Sequence, residues 1–376
     1  MCLSITLANC SHKLSHLHLE KLFLTDFKNY EEGSFMFCEN VNCIVGENGS
    51  GKTNLLDAVY FLALSKSAFH NQDGLSIRHD ADFFIIDGTF INQKKAAQIT
   101  CSLQRGQRKI LMSDKKSYER ISEHIGRFPV VLMAPDDTDI VREGSEERRR
   151  FFDGVLSQLD QHYLNDLLQY NKILNQRNSL LKIFYERNYF DAELLETYDE
   201  PLVEYAERIF IKRTTFLKDY LPLVRHYYAF LGESREQMDI IYESEVLDAG
   251  FAAEFRQNRQ RDLQAQRTTR GIHKDDFTFE MNGMALRKFG SQGQQKSFVI
   301  ALRLAQFQLL FNEKQIKPIL LLDDIFDKLD DRRIAKLIEM MNSEVFGQVF
   351  LTDARPERTS TLLANLLVEV KYFRTT

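Results

Sequence analysis

Apolar positions change their spacing twice along the chain. From His18 to Met112 they fall in short alternating or continuous runs, and from about Ser145 to Tyr242 they recur every three or four residues. Beyond that the short runs return. The first pattern predicts strands and the second predicts helices. His18–Tyr30 and Ser34–Cys38 predict a hairpin turning at Glu31–Gly33, feeding a strand at Val41–Val45. Phe83–Phe90, Ala97–Leu103 and Lys109–Met112 predict further strands, with Gly88 and Gly106 near the turns. In the middle block, Phe152, Val155, Leu156, Leu159, Tyr163 and Leu164 mark one helical stripe. Leu202, Tyr205, Ala206, Ile209, Phe216 and Leu217 mark another, with Pro201 expected near its first turn. Strand patterning resumes at Phe277–Met281, Pro318–Leu322 and Gln348–Leu351. Strands on both sides of a helical block predict an α/β chain, a mixed sheet with an antiparallel flank and an inserted helical lobe. Residues 17–115 with 315–376 are expected to form the first lobe and 116–314 the helical one. Residues 1–16 are weakly patterned and read as a loose extension.

The run Val41–Leu56, VNCIVGENGSGKTNLL, sets a strand against a glycine-rich turn and a helix whose apolar residues share one face. Glycine loses more backbone freedom on folding than any other residue, so this loop needs a reason. G-x-x-x-x-G-K-[ST] supplies one: backbone N–H groups of such a loop converge on phosphate oxygens, and the helix start adds its positive end. Gly46, Glu47, Asn48, Gly49, Ser50, Gly51, Lys52 and Thr53 are therefore candidate nucleotide-binding residues. Lys52 would neutralise the β- and γ-phosphates, and the Thr53 hydroxyl would bind Mg²⁺.

A second acidic element follows far downstream. Ile319–Leu322 is a continuous apolar run ending in Asp323 and Asp324, and a ligand site belongs at the carboxyl end of such a strand. Asp323 is placed to share the magnesium shell with Thr53, and Asp324 to orient or deprotonate the attacking water. A third element is Ser291, Gly293 and Gln294 at an expected helix start, a second phosphate-binding device that an ordinary N-cap would also produce.

Composition narrows the classes. Across 376 residues the net charge is −5, and the isoelectric point is near 6.0. This argues against a generally basic nucleic-acid coat, though not against a local basic surface. Cys2, Cys10, Cys38, Cys43 and Cys101 show no C-x-x-C pairing, which suits reduced thiols in the cytoplasm, and His16 and His18 complete no zinc site. No apolar stretch reaches membrane-spanning length and no secretory segment follows Met1, so neither a membrane nor export is expected.

P-loop, helical insertion, S-x-G-Q helix and acid-ended strand is the order of the ABC-type ATPase heads. More narrowly the chain resembles the RecF family, bacterial recombination and replication-repair ATPases of the SMC-like group. The resemblance rests on DFKNY (Asp26–Tyr30), the P-loop, APDDTDIVREGSEERRRFFD (Ala134–Asp153) and RGIHKDDFTFEMNG (Arg270–Gly283). It continues through GSQGQQKS (Gly290–Ser297) and LLLDDIFDKLDDRR (Leu320–Arg333). It implies an ATP-dependent homodimer on single-stranded or gapped DNA that recruits RecO/RecR-type mediators, with weak ATPase activity. It implies that Lys28 is a basic residue near the nucleotide. Ser291, Gly293 and Gln294 would contact ATP across the dimer, and Asp330 would lie in the loop that crosses the interface. Two departures, no glutamine in Ala134–Asp137 and Thr352–Asp353 where transporters place a histidine, imply slow hydrolysis. The same departures speak against a transporter energy subunit, and a nuclease head would need a further carboxylate-rich domain. Two arginine-dense stretches are candidates for DNA contact: Arg148–Arg150, and Arg256, Arg259, Arg261, Arg267 and Arg270 in polar, loop-like sequence.

Overall fold

The computed structural model describes residues 17–232, 236–247, 250–327 and 329–375. The expected extension, with Cys2, Cys10 and His16, lies outside them. β1 (His18–Phe27) and β2 (Tyr30–Met36) form the first hairpin, but the turn falls at Lys28–Asn29 and not at Glu31–Gly33. Lys28 takes the left-handed backbone that so tight a turn needs, at φ 53°. Gly33 sits inside β2, where a Cβ would come within 2.9 Å of the Phe35 ring, so it makes room for an aromatic side chain.

β3 (Val41–Val45) runs through the glycine loop into α1 (Lys52–Leu64). β4 (Phe83–Asn92), β5 (Lys95–Gln104), β6 (Ile110–Ser113) and β7 (Lys116–Ser117) complete a six-stranded antiparallel sheet ordered β2-β1-β4-β5-β6-β7. β8 (Val130–Met133) would fall in the helical lobe with a boundary at 116, yet it pairs in parallel with Ile319–Leu322.

The helical block comprises α2 (Asp139–Arg142), α3 (Ser145–Leu159), α4 (Gln161–Glu186) and α5 (Ala192–Phe230). Asp191 caps α5 through the Leu194 N–H, so Pro201 lies well inside this helix and not at its start. An interior proline costs ~3 kcal/mol. Burial of Leu195, Leu202, Ala206 and Ile209 on either side of it outweighs that local preference. β9 (Met238–Glu243), α6 (Phe251–Gln257), α7 (Arg259–Ala265), β10 (Asp276–Met281) and β11 (Met284–Ala285) follow, with a small antiparallel sheet ordered β11-β10-β9.

α8 (Leu286–Phe289) precedes α9 (Gln292–Lys314), and the chain ends with β12 (Ile319–Leu322), α10 (Asp331–Asn342), β13 (Val349–Asp353), α11 (Pro356–Leu363) and β14 (Val370–Arg374). The central sheet, β14-β3-β13-β12-β8, is parallel throughout. Its inner strands are buried on both faces, which is why β8 and β12 read as unbroken apolar runs. Ile44, Ile319, Leu321 and Phe350 face a core shared with α1 and the antiparallel sheet. Val45, Leu320, Leu322 and Leu351 face a second core shared with α3, α5 and α9. A two-residue period thus divides each strand between two cores and leaves only its carboxyl end for chemistry.

Candidate functional site

The glycine loop joins the carboxyl end of β3 to the start of α1. Gly51 caps the helix at φ 98°, and a Cβ there would strike the Asn29 amide at 2.4 Å. Asn29 also accepts from Asn54 Nδ2 at 2.8 Å, and Tyr30 OH donates to the Gly51 carbonyl at 3.1 Å. The first hairpin therefore braces the loop from one side. From the other, Thr375 exchanges a hydroxyl contact of 2.6 Å with Ser50, and its N–H donates to Val45 O. Lys52 is buried, and its ammonium donates to the Gly46 and Glu47 carbonyls at 2.9 and 3.0 Å. Among the described residues, the Asn48, Gly49 and Gly51 amides have no acceptor. With no acid in the first turn of α1, this corner is an anion cradle.

The acidic strand end closes the same corner. Thr53 Oγ1 donates to both Asp323 oxygens, at 3.0 and 3.1 Å, so the two expected magnesium ligands meet across the loop and β12. Thr352, at the end of β13, was expected only as a departure from the transporter pattern. Its hydroxyl donates to Asp323 Oδ1 at 2.8 Å and accepts the Asp324 N–H at 2.9 Å, so one side chain holds both acids. Burial raises the Asp323 carboxyl above its ordinary range, while the Thr352 and Thr53 hydroxyls pull it back. Asp324 takes left-handed backbone at φ 43°, and its buried Oδ1 has no partner. Asp353 Oδ2 is likewise buried and unpaired. A hydroxyl and carboxylates make a hard oxygen donor set, which fits Mg²⁺ completed by phosphate oxygens and water.

The serine element lies apart from this corner. Ser291 caps α9: its Oγ accepts the Gln294 N–H at 3.2 Å, and Gln294 Oε1 accepts the Ser291 N–H at 2.7 Å, a reciprocal capping box. Gln294 also donates to Glu236 at 2.6 Å. Ser291 is exposed, and no hydrogen bond among the described residues joins Ser291, Gly293 or Gln294 to the P-loop. Asp330 caps α10 through the Arg333 N–H at 2.9 Å.

The basic candidates separate sharply. The Lys28 ammonium lies 2.6 Å from Asp57, a fully buried carboxylate of α1 that also accepts from Ser67 and the Ala68 N–H. Its contact in this structure is with the P-loop helix. Arg148 grips Asp276 with two nitrogens and Arg149 donates to the Asp275 carbonyl, so these two fasten α3 to the start of β10, whereas Arg150 pairs within α3 with Glu146 and Glu147. The second stretch is not a loop but α6 and α7 with the segment after them. Arg259 pairs with Glu196 and, at 2.7 Å, with the buried Asp199, which Arg177 also contacts. Arg256 pairs with Glu196, and Arg270 pairs with Glu245 and Glu254. Arg261 and Arg267 are exposed and have no ion-pair partner among the described residues. In Ala134–Asp137, Asp137 pairs with Arg303 of α9 and so ties that segment to the signature helix.

This arrangement has close counterparts. The model of the RecF/RecN/SMC N-terminal domain matches residues 18–373. The DNA replication and repair protein RecF of Flavobacterium johnsoniae is 45% identical over 357 residues, covering 95% of this chain and 99% of that one. RecF of Cytophaga hutchinsonii is 44% identical, covering 95% and 94%. Among solved structures, the recombination mediator protein RecF with ATP, in the RecFOR pathway, superposes with TM-score 0.85 at 30% identity, covering 92% of this chain and 94% of that one. An Smc head domain of Pyrococcus furiosus shares the fold at TM-score 0.52 and 17% identity. The chain belongs to the RecF/RecN/SMC N-terminal-domain family, and within it to the RecF proteins of DNA replication and repair.

Proposed function

We propose that the chain is an ATP-gated DNA clamp: two copies close face to face over bound ATP on single-stranded or gapped DNA, recruit RecO/RecR-type mediators, and reopen after slow hydrolysis. The observation that carries this reading is the split site. The P-loop and acid end form one continuous network within the chain, whereas at the Ser291 helix start, an end suited to an anion, no hydrogen bond among the described residues joins Ser291, Gly293 or Gln294 to Gly46–Thr53. A second copy would bring the missing half. The solved RecF–ATP structure supports ATP as the ligand.

In this reading the Gly46–Gly51 backbone and Lys52 hold the phosphates. Thr53 and Asp323 would hold Mg²⁺, which supplies charge neutralisation at the β- and γ-phosphates. Asp324, fixed through its backbone by Thr352 and with its Oδ1 free, orients the attacking water. Ser291, Gly293 and Gln294 stabilise the partner's γ-phosphate. Lys28 acts through Asp57, setting the pose of α1. With no glutamine in Ala134–Asp137 and no histidine at Thr352–Asp353, turnover is slow. DNA contact rests on Arg261 and Arg267, since Arg259 is committed to Asp199. Arg267 lies beside Lys182, Asn175, Asn178 and Ser179 around a polar cavity of about 540 Å³, a setting suited to backbone phosphates. Measuring oligomeric state with ATP, ADP and no nucleotide, each with and without gapped duplex, tests the proposal. A dimer with ATP that DNA reinforces supports it, and a nucleotide-independent state contradicts it.

A further inference from the structure

Arg333 lies in the first turn of α10, on the segment that leaves the acidic end of β12. Two of its guanidinium contacts span two helices. Nη1 pairs with the Asp330 carboxylate, the cap of the same helix. Nη2 donates to Ser297 Oγ of α9 at 2.5 Å and lies 3.5 Å from the Gly293 carbonyl. Ser297 Oγ donates in turn to that carbonyl at 3.0 Å. One planar side chain thus joins the interface-loop residue Asp330 to the first turns of the serine helix. Ser297 is fully buried and only 12% of the Arg333 side chain is exposed, so water screens the Ser297 contact poorly, whereas the Asp330 carboxylate stays half open to solvent. A guanidinium fork suits the task because it holds separate acceptors at a fixed angle. The neighbouring Arg332 seats the same turn on the end of α5. Gly232 there has φ 103°, and a Cβ on it would come within 2.6 Å of the Arg332 guanidinium carbon.

We propose that Arg333 is a positioning residue that makes the segment after β12 and the serine helix move as one body. The state of Asp323 and Asp324 in one copy is thereby passed to Asp330 and Ser291, which face the partner's nucleotide. In this proposal Arg333 acts through Asp330 and Ser297 and not on the nucleotide itself. The inference rests on the two-copy reading above and adds to it how each copy's own site governs the surface it offers.

The test uses the full chain and four readouts: ATP affinity below the dimerisation concentration, melting temperature, ATP-dependent dimer dissociation constant, and turnover. Arg333→Ala is expected to leave ATP affinity and melting close to the parent while weakening the dimer by about tenfold, the loss of a charge-assisted hydrogen bond. Arg333→Lys should recover only part of this, since an ammonium can pair with Asp330 without forking to Ser297. Ser297→Ala should weaken the dimer in the same direction by less. The double variant should be no worse than Arg333→Ala alone, a non-additivity that independent structural damage does not give. Parent-like dimerisation in Arg333→Ala, or single effects that simply multiply, would overturn the proposal. If Arg333→Ala does not fold, Arg333→Lys and Ser297→Ala decide the question by the same criteria. Ser291→Arg is measured alongside: if it too dimerises like the parent, the two-copy reading fails, and if it alone is defective, only the coupling fails.

Discussion

The two ends of the site are built on opposite plans. At the P-loop, functional side chains are answered from inside the chain: Lys52 by the Gly46 and Glu47 carbonyls, Thr53 and Thr352 by Asp323, and Ser50 by Thr375. At the start of α9, Ser291 and Gln294 answer each other, and the helix end stays at the surface. The first plan fixes a pocket before any ligand arrives, which lowers the entropic cost of holding one. The second fixes a surface, and in the proposed clamp its ligand comes from the other copy. An ordinary enzyme site gathers both kinds of group in one cavity; here they are kept apart, and a second copy can bring them together.

Substitutions at the two ends should therefore fail differently. Lys52→Ala should abolish nucleotide binding, with ATP affinity falling by roughly 100-fold or more in a titration, because in the proposed site this ammonium is the cation that neutralises the β/γ-phosphates. Unchanged affinity would take the pocket away from this loop. Asp324→Asn should keep ATP and Mg²⁺ but slow turnover by about 10²-fold, trapping ATP-bound dimers on DNA. Parent-like turnover would move water orientation elsewhere, with Asp353 and its unpaired oxygen the next candidate.

Thr352→Val probes the bracing within the pocket. Loss of the hydroxyl should weaken Mg²⁺ binding by about tenfold, as removal of an outer partner does at other metal sites. The pH dependence has a definite sign. Burial already raises the Asp323 carboxyl and the Thr352 hydrogen bond lowers it, so the variant's carboxyl should be raised further. Protons then compete with the metal at higher pH, and Mg²⁺ binding should be lost earlier on acidification than in the parent. Identical acid limbs would remove Thr352 from the site. The smallest effect is expected on the helical lobe. Arg261→Glu with Arg267→Glu should leave ATP binding alone and flatten the salt dependence of DNA affinity by roughly 2 units, at about 0.9 per phosphate. An unchanged slope would clear that surface.

How far the sequence carried each part follows from where the determinants lie. Gly46–Thr53 and Ile319–Asp324 were readable because each is a local string whose chemistry depends on neighbours in the chain. Thr352 was not, because its hydroxyl reaches Asp323 only through the parallel register that sets Leu351 against Leu322. Asn29 and Thr375 brace the loop through contacts 22 and more than 300 residues away in sequence, with no pattern of their own. The arginines show the same limit. Arg259 and Arg261 look alike in a polar run, but helical turning in α7 points one at Asp199, sixty residues distant, and leaves the other in water. Pro201 misled for the opposite reason, since a strong local signal was overruled by packing on both sides of it.

The separation of the two ends is tested most directly at Ser291. Sedimentation velocity of Ser291→Arg with ATP and Mg²⁺, run beside an ATP titration of the same protein, reads both ends at once. A bulky cation at this exposed cap should leave ATP affinity at the parent's value while the protein stays monomeric under conditions where the parent dimerises. A variant that dimerises like the parent, or one that loses ATP affinity as a monomer, would contradict a site shared between two copies.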